Sequence, residues 1–315
     1  MSHRPLVLFF TVFLLTLAAA PLVRGLLSSL FPAPESALTI FFGGDMMFDR
    51  SVREAGKRLG DDHLLACLDP LIAAADIAAA NLEGPLTPHE SVSVGSAVGS
   101  ARNYTFTFPL STASLLAEHG IRFVSLGNNH IGNFGDAGIH STLAALDAAS
   151  VASFGDPLEQ RIARHDDGDI RISLIGYNQF APEGSFRAAS TTLAQIRTER
   201  AAGRLPIVFA HWGEEYQPAQ EYQKTLAHAF VDAGAVLVVG AHPHVVQESE
   251  TYRDVPIYYS LGNLVFDQYW HESVQRGLTI LATIDAVGGV SIAEMPVFLW
   301  RDRQTCPRFG QTLVH

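Results

Sequence analysis

An α/β domain is what this sequence predicts, on three observations. From Ala37 onward, short apolar runs of strand length alternate with stretches of helical character. The runs stop repeatedly at a glycine or a small polar cluster, and the residues just past them are Asp, Asn, Glu and His. Beyond Ile257 the helical stretches give out, and closely spaced apolar runs suggest antiparallel closure.

In order, Leu38 to Phe42 reads as a strand that ends in Gly43-Gly44-Asp45. Asp62 to Ala75 is amphipathic and reads as a helix, followed by a strand over Ile77 to Ala80 that ends in Asn81-Leu82-Glu83-Gly84-Pro85. Small polar residues from Ser91 to Ser100 mark a surface loop. A helix over Leu110 to His119 precedes a strand over Ile121 to Leu126, which ends in Gly127-Asn128-Asn129-His130. Ala137 to Ala149 is helical, and Val151 to Phe154 and Ile170 to Tyr177 are strands. After a helix over Thr191 to Ala202, the buried-type strand Leu205 to Ala210 runs into His211-Trp212-Gly213-Glu214-Glu215-Tyr216. A helix from Pro218 to Ala233 leads into the apolar run Val236 to Val239 and then Gly240-Ala241-His242-Pro243-His244. Ile257 to Ser260, Leu278 to Ile284 and Val290 to Phe298 complete the sheets, with no internal repeat.

Residues 1–24 carry a different signal. Met-Ser-His-Arg precedes an apolar run from Pro5 to Val23 and then Arg24, the pattern of an export segment. Ala18-Ala19-Ala20 offers a cleavage site, while a run of 19 residues is also long enough to anchor in a bilayer; the sequence admits both. No cysteine follows the run, which excludes a lipoprotein anchor. Residues 25–36, with Pro32 and Pro34, read as a tether, and residues 37–315 as one folded domain. That domain is expected outside the cytoplasm, held to the cytoplasmic membrane by an uncleaved segment, or secreted or periplasmic after cleavage.

The chain is 48% hydrophobic, enough for a large core, and its net charge is −11. Without Arg4 and Arg24 it is −13, so nucleic acid is excluded as a partner. Cys67 and Cys306 match no zinc or redox spacing and form either one disulfide or two buried thiols.

Five strand ends finish in Asp45, in Asn81 and Glu83, in Asn129 and His130, in His211, and in His242 and His244. In α/β sheets the carboxyl ends of the strands form the ligand edge, so residues two hundred positions apart can meet there. Carboxylates, an amide and imidazoles make a nitrogen-and-oxygen donor set suited to zinc, manganese or iron. Pro243 is expected to hold His242 extended, which would point His242 and His244 the same way. Taken singly, Asp45 could be a helix cap, Asn129 a turn residue and His211 a packed core histidine. Five separate explanations are less economical than one shared site.

Gly44-Asp45, Asn81-Leu82-Glu83, Gly127-Asn128-Asn129-His130, His211 to Tyr216, Gly240 to His244 and Tyr259-Ser260-Leu261-Gly262-Asn263 together resemble, in order, the signatures of the CapA family of poly-gamma-glutamate capsule biosynthesis proteins. The resemblance runs from about Leu38 to Asp267. It implies the calcineurin-like metallophosphoesterase fold, a four-layer sandwich of two mixed β-sheets flanked by helices. It also implies one or two divalent metal ions, with Asp45 and His244 serving one and Asn129, His211 and His242 the other. Glu83 takes the bridging position, and His130 that of a general acid. Two metals about 3.5 to 4 Å apart can activate a water and clamp a phosphoryl oxygen while an imidazole protonates the leaving group. Met47 stands where the superfamily usually places another histidine ligand, and Asn133 where the family often has aspartate. The activity implied is that of a hydrolase or transferase of surface-polymer biosynthesis, with other capsule-synthesis proteins as partners. A phosphoesterase acting on small or lipid-linked phosphates and a non-catalytic membrane-tethered polymer-handling component are the alternatives. No motif assigns a substrate-binding residue.

Overall fold

The structure, a computed structural model, describes residues 37–308; the export segment and the tether lie outside the described residues. In chain order the strands are β1 (Ala37–Met46), β2 (Ile77–Leu82), β3 (Phe123–Ser125), β4 (Ala152–Phe154), β5 (Ala163–Asp167), β6 (Ile170–Asn178) and β7 (Leu205–His211). They continue as β8 (Leu237–Ala241), β9 (Ser249–Tyr252), β10 (Val255–Tyr258), β11 (Asn263–Val265), β12 (Arg276–Asp285), β13 (Val290–Leu299) and β14 (Thr305–Pro307). The α-helices are α1 (Arg50–Leu59), α2 (Asp69–Ile72), α3 (Thr112–Glu118), α4 (Gly135–Ala148), α5 (Ser185–Ala201), α6 (Glu221–Ala233) and α7 (Glu272–Gln275). None among the described residues is long and apolar enough to cross a membrane.

One sheet runs β14-β13-β12-β1-β2-β3-β4, with β11 also beside β1, and the other runs β5-β6-β7-β8-β10-β9. Both are mixed. β1 to β4 pair in parallel, as do β6, β7, β8 and β10, while β12 to β14, β5 and β9 pair antiparallel.

Strand periodicity explains the layers. In β1, Leu38, Ile40 and Phe42 enter the core between the sheets, where they join Ile207 and Phe209 of β7 and Leu237 and Val239 of β8. Phe41 points the other way, into a core with Leu115 and Leu116 of α3 and Ile139, Leu143 and Leu146 of α4. Val208 of β7 and Val238 of β8 face a third core with Ile196 of α5 and Phe230 of α6. Continuous apolar runs are therefore buried on both faces, and the order is helix, sheet, sheet, helix.

Three local expectations change. The single helix expected over Asp62 to Ala75 is two 3-10 turns, Asp61–Leu64 and Ala66–Leu68, followed by α2. Pro70 sits in the first turn of α2, where a proline starts a helix and cannot continue one. Leu64, Leu68 and Leu71 are still buried, so the apolar pattern is satisfied without a continuous helix. Helix α1 went unread because its buried stripe is only Val52, Ala55 and Gly56 amid charged residues. Strands β5 and β9 went unread because they are edges, largely exposed and polar. Cys67 and Cys306 form a disulfide that ties the turn before α2 to β14.

Candidate metal centre

A break in strand pairing aims the first carboxylate. Phe42 pairs with Ala79 of β2, yet Asp45 pairs with Asn81, so β1 carries one residue more than its partner over this interval. That bulge reverses the alternation. Without it Asp45 would share the face of Phe41 towards the helices; with it Asp45 shares the inter-sheet face of Phe42 and Ala79. Gly44 permits this because a Cβ there would lie 1.8 Å from the Gly262 carbonyl oxygen. From the second sheet, His211 ends β7 on the inter-sheet face of Ile207 and Phe209. The centre therefore lies at the carboxyl ends of β1, β2, β7 and β8, where the two sheets meet.

The His242-Pro243-His244 segment is not extended. His242 has φ 97° and His244 φ 58°, both in the region that favours glycine. The reason is that the backbone itself is used: His242 N donates to Asp45 Oδ2 at 3.0 Å, and Tyr216 N donates to the Pro243 carbonyl at 2.9 Å. Winding the loop still brings both imidazoles to the site, with ring centroids 6.0 Å apart.

Asp45, Glu83 and His244 form one buried group able to hold a metal ion, and Glu83, His211 and His242 form a second, with donor atoms in each group within 4.8 Å of one another. Glu83 belongs to both. Asn129 joins the second, its Oδ1 lying 2.9 Å from His211 Nε2. The surrounding amides orient these donors. Asn81 Nδ2 donates to Asp45 Oδ1 at 2.7 Å and lies 3.3 Å from His211 Nδ1, while Asn128 Nδ2 donates to Asn81 Oδ1 at 3.1 Å. Asn263 pairs with Asp45 across β1 and β11, and its Oδ1 lies 2.9 Å from His244 Nδ1. That contact leaves Nε2 of His244 3.6 Å from Glu83 Oε1. An imidazole that gives one nitrogen to an amide oxygen and keeps the other for an ion is the usual support of a ligating histidine. Asn81 is one of the strand-end candidates read from the sequence, whereas Asn128 and Asn263 stand in the motifs without a role, because orientation by an amide leaves no spacing signal.

The electrostatics divide the carboxylates. Burial pushes Asp45 up, but His244, His211 and Asn81 outweigh it and hold the carboxyl well below its ordinary range. Burial and then the neighbouring Asp45 push Glu83 well above its ordinary range. Burial lowers His211 strongly, and it lowers His242 to about 3, with the neighbouring imidazoles adding to both. These imidazoles are neutral at pH 7, the form that binds metal.

His130 stands slightly apart. Its Nδ1 lies 3.2 Å from Asn133 Oδ1, its Nε2 is 4.0 Å from Glu83 Oε1, and its ring packs 4.3 Å from Phe106. Burial lowers it to about 4, only partly offset by Asn133. Asn133 also accepts from Phe106 N at 2.7 Å and so ties the histidine to the loop beneath it. Met47 takes no part: it is fully buried in the helix-side core, and its sulfur accepts from Asp49 N.

Two atoms test whether the residues fit a metal. Glu83 Oε1 and His242 Nδ1 are buried and without a hydrogen-bond partner. A buried carboxylate oxygen and an imidazole nitrogen, both left unpaired within the group of Glu83, His211 and His242, cost free energy that a cation between them would offset. The donor set fits a divalent ion.

The family described as bacterial capsule synthesis protein PGA_cap matches residues 39–268. The capsule biosynthesis protein CapA of Bacillus anthracis is 30% identical over 261 residues, covering 76% of this chain and 62% of that protein. The PGA biosynthesis protein CapA of Bacillus subtilis (strain 168) is 27% identical over 253 residues, covering 75% of this chain and 65% of that one. The chain thus spans less than two thirds of the length of these relatives. Among solved structures, a purple acid phosphatase from yellow lupin seeds aligns with TM-score 0.31 and 10% identity over 82% of this chain and 53% of that one. A Vps29 double mutant from Entamoeba histolytica aligns with TM-score 0.27 and 13% identity over 70% and 92%.

Proposed function

Because the chain belongs to the bacterial capsule synthesis protein family, we propose that it is an extracytoplasmic metal-dependent hydrolase or transferase acting in surface-polymer biosynthesis of the poly-gamma-glutamate type. The single observation that carries the metal-dependent reading is the shared carboxylate Glu83, buried between two three-residue groups with Oε1 unpartnered. Asp45, Glu83 and His244 would hold one divalent ion, and Glu83, Asn129, His211 and His242 a second, of manganese, zinc or iron. Such ions supply Lewis acidity towards a phosphoryl or carbonyl oxygen and lower the pKa of water.

The chain's own residues do the rest. Asn81, Asn128 and Asn263 fix the donors before substrate arrives, so little reorganisation accompanies reaction. His130 faces Glu83 with Nε2 while Asn133 lies against Nδ1. Burial leaves its imidazole neutral at pH 7 with the Nδ1 hydrogen on Asn133 Oδ1, so Nε2 must first take up a proton, from solvent or from the attacking water, before it can pass one to a leaving group. Neutral Asn133 orients that ring and favours its charged form only enough to offset part of the effect of burial. The extracytoplasmic placement draws support from the Cys67–Cys306 bond, since disulfides persist in oxidising compartments, and from the export pattern of residues 1–24. A reporter fused after His315 that is active only in the cytoplasm would refute it.

The test pairs two variants. His242→Ala should lose most of its bound metal by elemental analysis, because each ligand removed leaves the ion partly resolvated. His130→Ala should keep its metal and lose about 10²- to 10⁴-fold in rate on a poor leaving group, assayed with phosphoesters and γ-glutamyl polymers. Equal metal content in wild type and His242→Ala would defeat the metal assignment. Full rate in His130→Ala would favour a non-catalytic, polymer-handling role.

A further inference from the structure

Arg50 occupies a position that neither the turn nor the helix favours. It is the first residue of α1, with φ 48°, a costly conformation for a side-chain-bearing residue, and its positive charge opposes the helix dipole. The guanidinium is nonetheless held from several sides. Nη2 pairs with Asp267 Oδ1 at 2.5 Å, Nη1 donates to Asn103 Oδ1 at 3.4 Å, and the central carbon lies 5.0 Å from the Phe106 ring and 5.5 Å from the Phe266 ring. Both rings also pack on the site, Phe106 against His130 at 4.3 Å and Phe266 against His244 at 4.7 Å. Nε of Arg50 is buried and has no hydrogen-bond partner.

We propose that Arg50 recognises the anionic group of the substrate, binding a phosphoryl or carboxylate oxygen beside His130. The proposal rests on the reading of this centre as a site for surface polymer or its precursors, and adds the substrate contact that the motifs leave unassigned. Its chemistry follows from the field at the centre. Asp45 and Glu215 add negative charge at Glu83, and Arg50 opposes them. A chain of net charge −11 repels an anionic substrate unless a cation inverts the field locally. A guanidinium with unspent donors, kept in orientation by stacked rings, suits an oxygen pair. Asp267 holds that orientation without depending on Arg50 alone, because its Oδ2 also accepts from Ser51 Oγ at 2.9 Å.

The test titrates inorganic phosphate, and separately a γ-linked glutamate tripeptide, into the purified protein by calorimetry, with metal content measured on the same samples. Arg50→Gln should keep its metal and weaken binding of at least one probe by about 10- to 100-fold, the usual effect of losing a charge-assisted hydrogen bond. Arg50→Lys should fall between, having charge but no fork. The probe that loses affinity identifies the source of the anion. Unchanged affinity for both probes, affinity lost only together with metal, or a wild type that binds neither probe would each overturn the assignment. A wild type without metal that still binds the anion through Arg50 would refute the proposed metal chemistry and leave this contact standing. Should Arg50→Gln fail to fold, Asp267→Asn removes the competing carboxylate and should tighten binding several-fold; unchanged or weaker binding there overturns the proposal.

Discussion

Glu83 and Asp45 sit in one buried centre and are driven in opposite directions, Glu83 by burial and its acidic neighbour, Asp45 by the imidazoles and amide that face it. Replacing Glu83 by the near-isosteric Gln removes a carboxyl whose ionisation burial and Asp45 both oppose. Glu83→Gln should therefore raise the stability of metal-free protein by about 0.5–2 kcal/mol, as relief of a destabilised functional residue commonly does, while lowering metal content. Thermal melts with a chelator present, set beside elemental analysis, check this; a lower melting point would mean that Glu83 is a structural residue. At this scale the sequence was partly legible. Asp45, Glu83, Asn129, His211, His242 and His244 stood at strand ends, where chemistry-bearing types are conspicuous. The positive φ of His242 and His244 was not, because Pro243 restricts the backbone locally, while the contacts that wind the loop come from Asp45 and Tyr216.

Among the elements, α5 is locked to the second sheet by a polar cluster on the side away from β8. Glu199 accepts from Arg164 at 2.5 and 2.9 Å and from Ser173 Oγ at 2.7 Å. Its hydrogen bonds to Arg164 hold its carboxyl below the usual range, against the opposing effect of burial. A lowered folded-state pKa means stability that is present above the unfolded value, about 4.3, and lost as pH falls through the folded value. Glu199→Gln should thus cost about 1–3 kcal/mol at pH 7, and the gap from wild type should close on acidification below about pH 4. Denaturant titrations at pH 7 and pH 3 measure it; an equal gap at both values would contradict the ionic origin. Elements built on continuous apolar runs were readable in advance, as β1, β7 and β8 were. Helix α1 and edge strands β5 and β9 were not, since they bury too little for hydrophobic patterning to register.

Across the whole molecule, the Cys67–Cys306 bond joins positions 239 residues apart. It closes nearly all of the described chain into one loop, so its loss should cost about 2–5 kcal/mol. Cys67→Ser with Cys306→Ser, or wild type under reductant, should melt earlier while binding the same amount of metal at temperatures where the protein is folded, because the bond ties β14 and the turn before α2, not the strand ends that carry the donors. Metal lost in step with reduction at low temperature would contradict that separation. The four-layer order was legible only through family resemblance: hydrophobic alternation reveals which faces are buried but not which sheet each strand joins.

The meeting of the two sheets at their carboxyl ends has a consequence in time. Asp45 and Glu83 belong to the first sheet, His211 and His242 to the second, so neither sheet alone can complete the donor set. Closing contacts between positions so distant in sequence is slow relative to forming local helices and hairpins. Metal capture should therefore be the final event of refolding, arriving after helical circular dichroism has recovered. The ion would act as a latch that binds only the finished arrangement and, by mass action, slows its opening.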